Sequence, residues 1–281
     1  MTYSVELLSL FDPRFLDHRP RDLERVEALK EQCSIDPPGI VEIGCERGDF
    51  LIGLAKTHPT TRILGLEWRA SFARSATERM KRRGVDNVII SDLDAKLAIP
   101  HALAMGSLQE VHVTFPDPWW KEKHVHRRVL EPLFLRVIAR RLAPGGRLYL
   151  KSDVFEYLVR VRACAEASGA FRPLPPERWP DERTWTWTTR EKKCMQAAIP
   201  FGRGYYERLD SFRSALPETP ERAEDFPVPD DIDPVALIRG APPVDRAHRE
   251  RVRDQARKTG LVGESPTAST DGRSVPPKGL P

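Results

Sequence analysis

The sequence predicts an α/β fold, a mostly parallel sheet with helices on both faces. From Gly39 to about Ser168, short β-branched or aliphatic runs alternate with stretches of helical apolar period, the mark of repeated βαβ units. A parallel sheet of this kind is covered on both faces. At 281 residues the chain suits one such domain with appendages better than two full domains.

The elements follow in order. Gly39 to Gly44 is the first strand and leads into an apolar helical stripe at Phe50, Leu51, Leu54 and Ala55. Arg62 to Glu67 is the second strand, before a helix running through Met80, and Asn87 to Ile90 is the third. Val111, Val113 and Phe115 alternate as a strand does, and Leu130, Leu133, Phe134, Val137 and Ile138 then recur at helical spacing. Pro132 falls in the first turn of that helix, where proline is tolerated. Ala143-Pro-Gly-Gly146 stops the helix, Arg147 to Lys151 starts another strand, and a helix with Phe155, Leu158 and Val161 follows. Beyond Gly169, three stretches read as closing strands: Phe171 to Leu174, the run with Trp179, Trp185 and Trp187, and Gly204 to Leu209. This divides the chain into a partly helical N-terminal extension (1–38), the α/β domain (39–212) and a Pro-rich, largely disordered tail (213–281).

The formal net charge of +4 suits a polyanionic partner but is too mild to argue for one. The start, MTYSVELLSLFDPRF, lacks a basic segment followed by a long apolar stretch, and no later run approaches the roughly 18 apolar residues of a membrane span. Cys33, Cys45, Cys164 and Cys194 are scattered, with neither CxxC pairs nor histidines at metal-ligand spacing. The expectation is a soluble cytoplasmic protein with free thiols and no metal, bound to no membrane.

Val41-Glu-Ile-Gly-Cys-Glu-Arg-Gly48 carries a strand end into a helix start through glycines, which permit the tight turn and close approach that a nucleotide requires. Alone it is equally an ordinary glycine turn. Glu67 ends the second strand about 20 residues downstream, where a carboxylate can accept hydrogen bonds from both hydroxyls of a ribose. NAD and S-adenosylmethionine both contain adenosine, but a pyrophosphate would be repelled by Glu46 and Asp49, whereas a sulfonium and an ammonium tolerate them. The local charge favours the methyl donor, and no hydride-transfer set of residues is recognisable. Asp94, or the competing Asp92, follows the third strand and can meet the exocyclic amine of adenine; either can equally cap a helix.

The most specific stretch is Phe115-Pro-Asp-Pro-Trp-Trp-Lys-Glu-Lys-His-Val-His-Arg-Arg128, at the carboxyl edge where such sheets bind ligands. Two prolines fix the direction of Asp117, and Trp119 offers a flat face for a base. Lys121, Lys123, Arg127 and Arg128 supply cations for successive phosphates, unless the run is only a solvated basic helix start.

With this motif the chain resembles the tRNA (guanine-N7)-methyltransferases, from about Ile40 to Leu209. The resemblance implies a Rossmann-like class I methyltransferase with a mostly parallel seven-stranded sheet, S-adenosylmethionine as donor, and tRNA as partner with no obligatory protein partner. It implies methylation of a variable-loop guanine at N7, with Asp117 catalytic. It further implies that Glu42, Gly44, Glu67, Asp94 and Asp117 bind the donor, and that Lys121, Asp153 and the segment from Thr188 to Glu191 meet the guanine, with Asp153 and Glu191 at its amino edge.

The chain departs from the family's pattern at Glu46, where a glycine is usual. If Glu46 needs no positive φ and points away, the site survives; if it projects into the donor pocket, affinity falls. His126 stands for a lysine and Glu122 interrupts the basic run, while Ser152 replaces a threonine but keeps the hydroxyl. These departures leave two alternatives open, a catalytically impaired RNA-binding paralogue and a methyltransferase for another RNA or a small molecule.

Overall fold

A computed structural model describes residues 20–119, 124, 127–181 and 186–212. The elements are α1 (Pro20–Ile35), β1 (Ile40–Ile43), α2 (Asp49–Thr57), β2 (Ile63–Leu66), α3 (Ala70–Arg82), β3 (Val88–Ser91) and α4 (Ala95–Ala102). They continue as β4 (Leu108–Thr114), α5 (Pro132–Arg141), β5 (Leu142–Ser152), α6 (Phe155–Ala167), β6 (Phe171–Pro173), α7 (Thr189–Gln196) and β7 (Gly202–Arg208). The expectations for residues 1–19 and for the tail from 213 lie outside the described residues.

The strands form one seven-stranded sheet in the order β3-β2-β1-β4-β5-β7-β6. The first five are parallel, and β7 runs antiparallel to both β5 and β6. This is the expected α/β architecture. Two closing strands exist where three stretches were expected, because the tryptophan run does not pair among the described residues. Trp179 instead packs edge-on against Tyr205 with its indole N–H donating to Leu174 O at 2.9 Å, and Trp187 lies outside any strand.

The two-residue period of each strand sorts side chains into two cores. Val41, Ile43, Leu64, Leu66, Val111, Val113, Leu148 and Leu150 face one side, under α1, α4, α5 and α6. Ile40 and Ile63 face the other, against Phe50, Leu51 and Leu54 of α2 and Met80 of α3. The stripe expected at Phe50, Leu51, Leu54 and Ala55 is buried as one face of α2.

Pro132 opens α5 at its first turn, as expected. The Ala143–Gly146 stop differs from expectation: α5 ends at Arg141, and these residues lie within the span of β5. Leu108 aligns with Leu142 but Glu110 with Arg147, so three extra residues bulge on β5, with Gly145 at a φ of 72° to make the bend. Helix α4 was anticipated only through the capping reading of Asp94, and Pro100 sits inside it. Its Asp94 N-cap and its apolar contacts outweigh that interruption. All four cysteines are free and buried. Among the described residues no helix is long and apolar enough to cross a membrane.

Leu150, fully buried in the central strand β5, tests this packing. Leu150→Ala should cost about 2–5 kcal/mol of unfolding free energy in a urea titration. A loss under about 1 kcal/mol would mean that the core of the first face is not organised around β5.

Candidate active site

The turn after β1 passes three times through the left-handed region, at Gly44 (φ 77°), Glu46 (φ 46°) and Gly48 (φ 77°). Glu46 therefore does adopt the positive φ that its Cβ disfavours, at a cost of roughly 1–2 kcal/mol. Its side chain is exposed on the rim of the cavity described below. Its backbone N–H donates to Glu67 Oε2 at 3.0 Å, and Glu67 Oε1 accepts from the Arg69 N–H at 2.9 Å. One carboxylate at the end of β2 thus fixes the turns after both β1 and β2. Burial raises the Glu67 pKa, opposed by these two backbone donors. Each oxygen keeps acceptor capacity for a ligand.

A cavity of about 840 Å³ opens at the carboxyl ends of β1, β2 and β4. Glu42, Gly44, Glu67, Asp94, Asp117, Asp153 and Thr188 all line it, so the fold gathers these residues from distant parts of the sequence around one space. Lys121 lies outside the described residues. Asp92 forms an ion pair with Arg25 of α1 and is not among the cavity-lining residues, whereas Asp94 lines the cavity while capping α4 through the Lys96 N–H at 2.8 Å. The two roles considered for Asp94, cap and ligand contact, are compatible.

Glu42 is the most unusual residue of the site. It sits in a strand buried on both faces, 1 % exposed. Oε1 accepts from the Thr114 hydroxyl at 3.2 Å, and Oε2 is buried with no hydrogen-bond partner. Burial pushes its pKa up to about 8, the Thr114 bond opposes this, and the charges of Glu46, Glu191 and Glu67 add to it. A buried acceptor without a donor, in a residue that lines the cavity, fits a cationic or N–H ligand group.

After β4 the chain bends sharply, with Phe115 at φ 51° and Trp119 at φ 45°. The Phe115 N–H donates to Lys151 O at 2.7 Å, and the buried Arg128 donates through Nε to Pro118 O at 3.1 Å. Arg128 thus braces the loop from inside, a correction to its reading as a phosphate contact. Arg127 lies over the Trp119 ring at 5.1 Å from its centroid, so the face expected to receive a base carries a cation. Asp117 stands exposed on the cavity lip between the two prolines.

The segment entering α7 is pinned at several points. Thr188 and Glu191 form a capping box, with Thr188 Oγ1 accepting from the Glu191 N–H at 3.0 Å and Glu191 Oε2 accepting from the Thr188 N–H at 2.7 Å. Glu191 Oε1 takes Lys151 Nζ at 2.8 Å in a pair whose side chains are each 3 % exposed. Glu191, expected at the guanine, is thereby turned into the protein and is not among the cavity-lining residues. Thr189 donates to Asp49 Oδ2 at 2.7 Å, and Asp49 also pairs with Arg79 at 2.5 Å. Burial pushes Asp49 up, but these bonds overrule it and hold its pKa below the usual carboxylate value. Arg190 pairs with Asp153 across the cavity mouth.

Sequence reasoning gave no site role to Lys151 or Trp68, used Asp49 only as a charge at the glycine turn, and included Arg190 only within the segment from Thr188 to Glu191. The Thr188-x-x-Glu191 spacing was a legible capping-box signal. Trp68, next to Glu67 and 57 % exposed on the cavity wall, is marked by its position after an acidic strand end, and its indole offers a face to a flat ring.

The family model described as "Putative methyltransferase" matches residues 36–203, from just before β1 into β7. A tRNA (guanine-N(7)-)-methyltransferase of Myxococcus xanthus is 33 % identical over 168 residues, covering 57 % of this chain and 78 % of that protein. One from Prochlorococcus marinus is 32 % identical over 197 residues, covering 68 % and 83 %. The chain belongs to the tRNA (guanine-N7)-methyltransferase family. One from Parasynechococcus marenigrum, 36 % identical over 183 residues, covers 62 % of this chain and 76 % of its own length. The match spans the Glu46 turn after β1 and every strand from β1 to β6.

The raised pKa of Glu42 makes stability depend on pH. Neutral in the fold up to about pH 8 but ionised above roughly pH 4.5 when unfolded, it favours the fold fully at low pH and progressively less between those values. Glu42→Gln should match wild type in thermal midpoint near pH 5 and exceed it increasingly up to pH 8, with no further gain above. A constant difference from pH 5 to 9 would show that Glu42 is ionised throughout.

Proposed function

We propose that this chain transfers a methyl group from S-adenosylmethionine to N7 of a variable-loop guanine in tRNA, forming 7-methylguanosine. The observation that carries the donor assignment is the buried Glu42 carboxyl group, whose Oε2 has no hydrogen-bond partner, in a residue that lines the cavity together with Glu46, Asp49 and Glu67. The Glu46 and Asp49 carboxylates repel a pyrophosphate, and the Glu42 carboxyl group, held neutral by burial, ionises against an ammonium, so this wall suits a ligand bearing an ammonium and a sulfonium. In this reading Glu42 holds the ammonium, Gly44 lets the backbone approach, and Glu67 accepts the ribose hydroxyls. Asp94 meets the adenine amine and Trp68 covers the ring. When bound, the donor supplies an electrophilic methyl on a positively charged sulfur.

Guanine N7 carries a lone pair in its neutral form, so no residue needs to remove a proton. As the N7–carbon bond forms, the carbon–sulfur bond breaks, its electron pair stays on sulfur, and the positive charge moves to the purine. Asp117, held between Pro116 and Pro118 on the lip, is the catalytic carboxylate: it faces that charge on both sides of the transfer. Positioning supplies most of the remaining rate. Lys121, Asp153 and Thr188 meet the acceptor in this reading. The enzyme works in the cytoplasm, without a metal or an obligatory protein partner.

The test is transfer of labelled methyl from S-adenosylmethionine to unmodified tRNA, with the product mapped as 7-methylguanine. Asp117→Ala should lower kcat by roughly a hundredfold or more with the thermal midpoint unchanged, since the side chain is exposed. Activity within threefold of wild type would remove Asp117 from the chemistry. Donor binding without label in any guanine would point to another acceptor.

A further inference from the structure

We propose that Arg190, and not Asp153 alone, selects guanine: the Arg190–Asp153 pair reads the base as one unit, Arg190 donating to O6 while Asp153 accepts from the amino edge. The inference rests on the proposed function. Arg190 Nε and Nη2 both donate to the single oxygen Oδ2 of Asp153, the former at 3.1 Å. That contact uses neither Oδ1 of Asp153 nor Nη1 of Arg190. Both residues line the cavity, Asp153 with a side chain 14 % exposed and Arg190 with one 46 % exposed at its mouth.

The pair is built to hold its place. Arg190 is in the first turn of α7, whose backbone is fixed on one side by the Thr188–Glu191 capping box and on another by the Thr189–Asp49 hydrogen bond. Glu191 is anchored to the sheet by Lys151, which immediately precedes Ser152-Asp153 on β5. The Ser152 hydroxyl accepts from the Val154 N–H at 3.1 Å, which shapes the turn carrying Asp153. Helix and strand therefore deliver a guanidinium and a carboxylate side by side from two rigid elements.

A guanidinium beside a carboxylate presents donors next to acceptors. Guanine presents the complement along consecutive positions: the O6 acceptor, then the N1–H and N2–H donors. Adenine has an amino donor where guanine has O6 and no N1–H, so it would set donor against donor at Arg190 and leave Asp153 unmatched. Because N7 must stay open to the methyl group, an arginine cannot take the usual fork on N7 and O6 together, and O6 alone remains for it. Charge-assisted bonds of this kind discriminate strongly because the alternative leaves a charged group unmatched.

The experiment compares kcat/KM at pH 7 for full-length tRNA with guanosine, 6-thioguanosine or inosine at the target position, using wild type, Arg190→Ala, Arg190→Lys and Asp153→Asn. Sulfur at position 6 weakens the acceptor facing Arg190, and inosine lacks the amino group facing Asp153. Wild type should discriminate against each analogue by roughly tenfold or more. In Arg190→Ala the 6-thioguanosine penalty should largely vanish while the inosine penalty persists, and Asp153→Asn should show the reverse. Arg190→Lys, which keeps the charge but not the fork, should fall between. Equal losses on all three acceptors in Arg190→Ala would overturn the assignment, because a structural or phosphate-binding arginine lowers them together. An unchanged inosine penalty in Asp153→Asn would overturn it as well. If wild type leaves the guanosine tRNA unmethylated, the functional reading itself fails, which these ratios keep distinct.

Discussion

Right-handed crossovers carry the chain from β1 through β2 to β3 in one direction along the sheet, and from β4 to β5 in the other. Helices α2 and α3 therefore cover one face, and α4, α5 and α6 the opposite one. Loops leaving β1 and β4 must part in opposite directions, and a crevice is unavoidable at their carboxyl ends. The cavity-lining carboxylates are reached from this edge: Glu42 on β1, Glu46 and Asp49 just after it, Glu67 after β2, Asp94 after β3, Asp117 after β4 and Asp153 after β5. The parallel register leaves little choice about where chemistry can occur, and the sequence places acidic residues at successive strand ends.

The same register explains the polar residues buried beneath the crevice. Glu42 pairs in register with His112, and His112 with Tyr149, while Thr114 lies beside Lys151. Alternation points all of these to the α2 side of the sheet, where a purely apolar strand would have packed more cheaply. His112 is kept mostly neutral by burial, which outweighs its bond to Glu110, and it packs on Phe50 at 5.4 Å between centroids. Lys151 spans the step from this layer to α7 by pairing with Glu191. Breaking such a buried pair by removing one partner costs about 3–5 kcal/mol, although the intact pair need not add net stability. Its use here is positional: it ties the start of α7 to the strand that Asp153 follows.

How much of this was legible follows from the range of each interaction. The strand runs, the glycine turn and the Glu67 spacing are local patterns, and the Phe115–Trp119 loop is nearly a signature in itself. Glu42 was legible through family resemblance, but the bond that its Oε1 accepts comes from Thr114, 72 residues away in the chain. The Thr189–Asp49 bond joins residues separated by 140 positions, and Lys151–Glu191 by 40, so neither leaves a mark in any short window. Arg128 was misread for a related reason. In a basic run every arginine looks like a phosphate contact, and only the fold distinguishes one that turns inward to hold Pro118 from one that stacks on Trp119. Helix α4 was legible only as the capping reading of Asp94, and tertiary burial of Ala98, Ile99 and Ala102 carries it past Pro100.

Glu46 shows how a departure from a family pattern can be absorbed. A glycine at this position would enter the left-handed region without strain, and glutamate enters it at a penalty. The Glu67 carboxylate accepts the Glu46 N–H, a backbone bond that holds the turn in this conformation. Neighbouring Cys45 is buried: a Cβ on Gly65 would approach its sulfur to 3.0 Å, so the glycine in β2 makes room for the turn. The turn after β1 keeps its shape, and besides the strain the substitution adds a charge on the cavity rim. A further carboxylate on the rim would weaken a site built for phosphate, but in one built for a sulfonium and an ammonium its long-range field has the favourable sign.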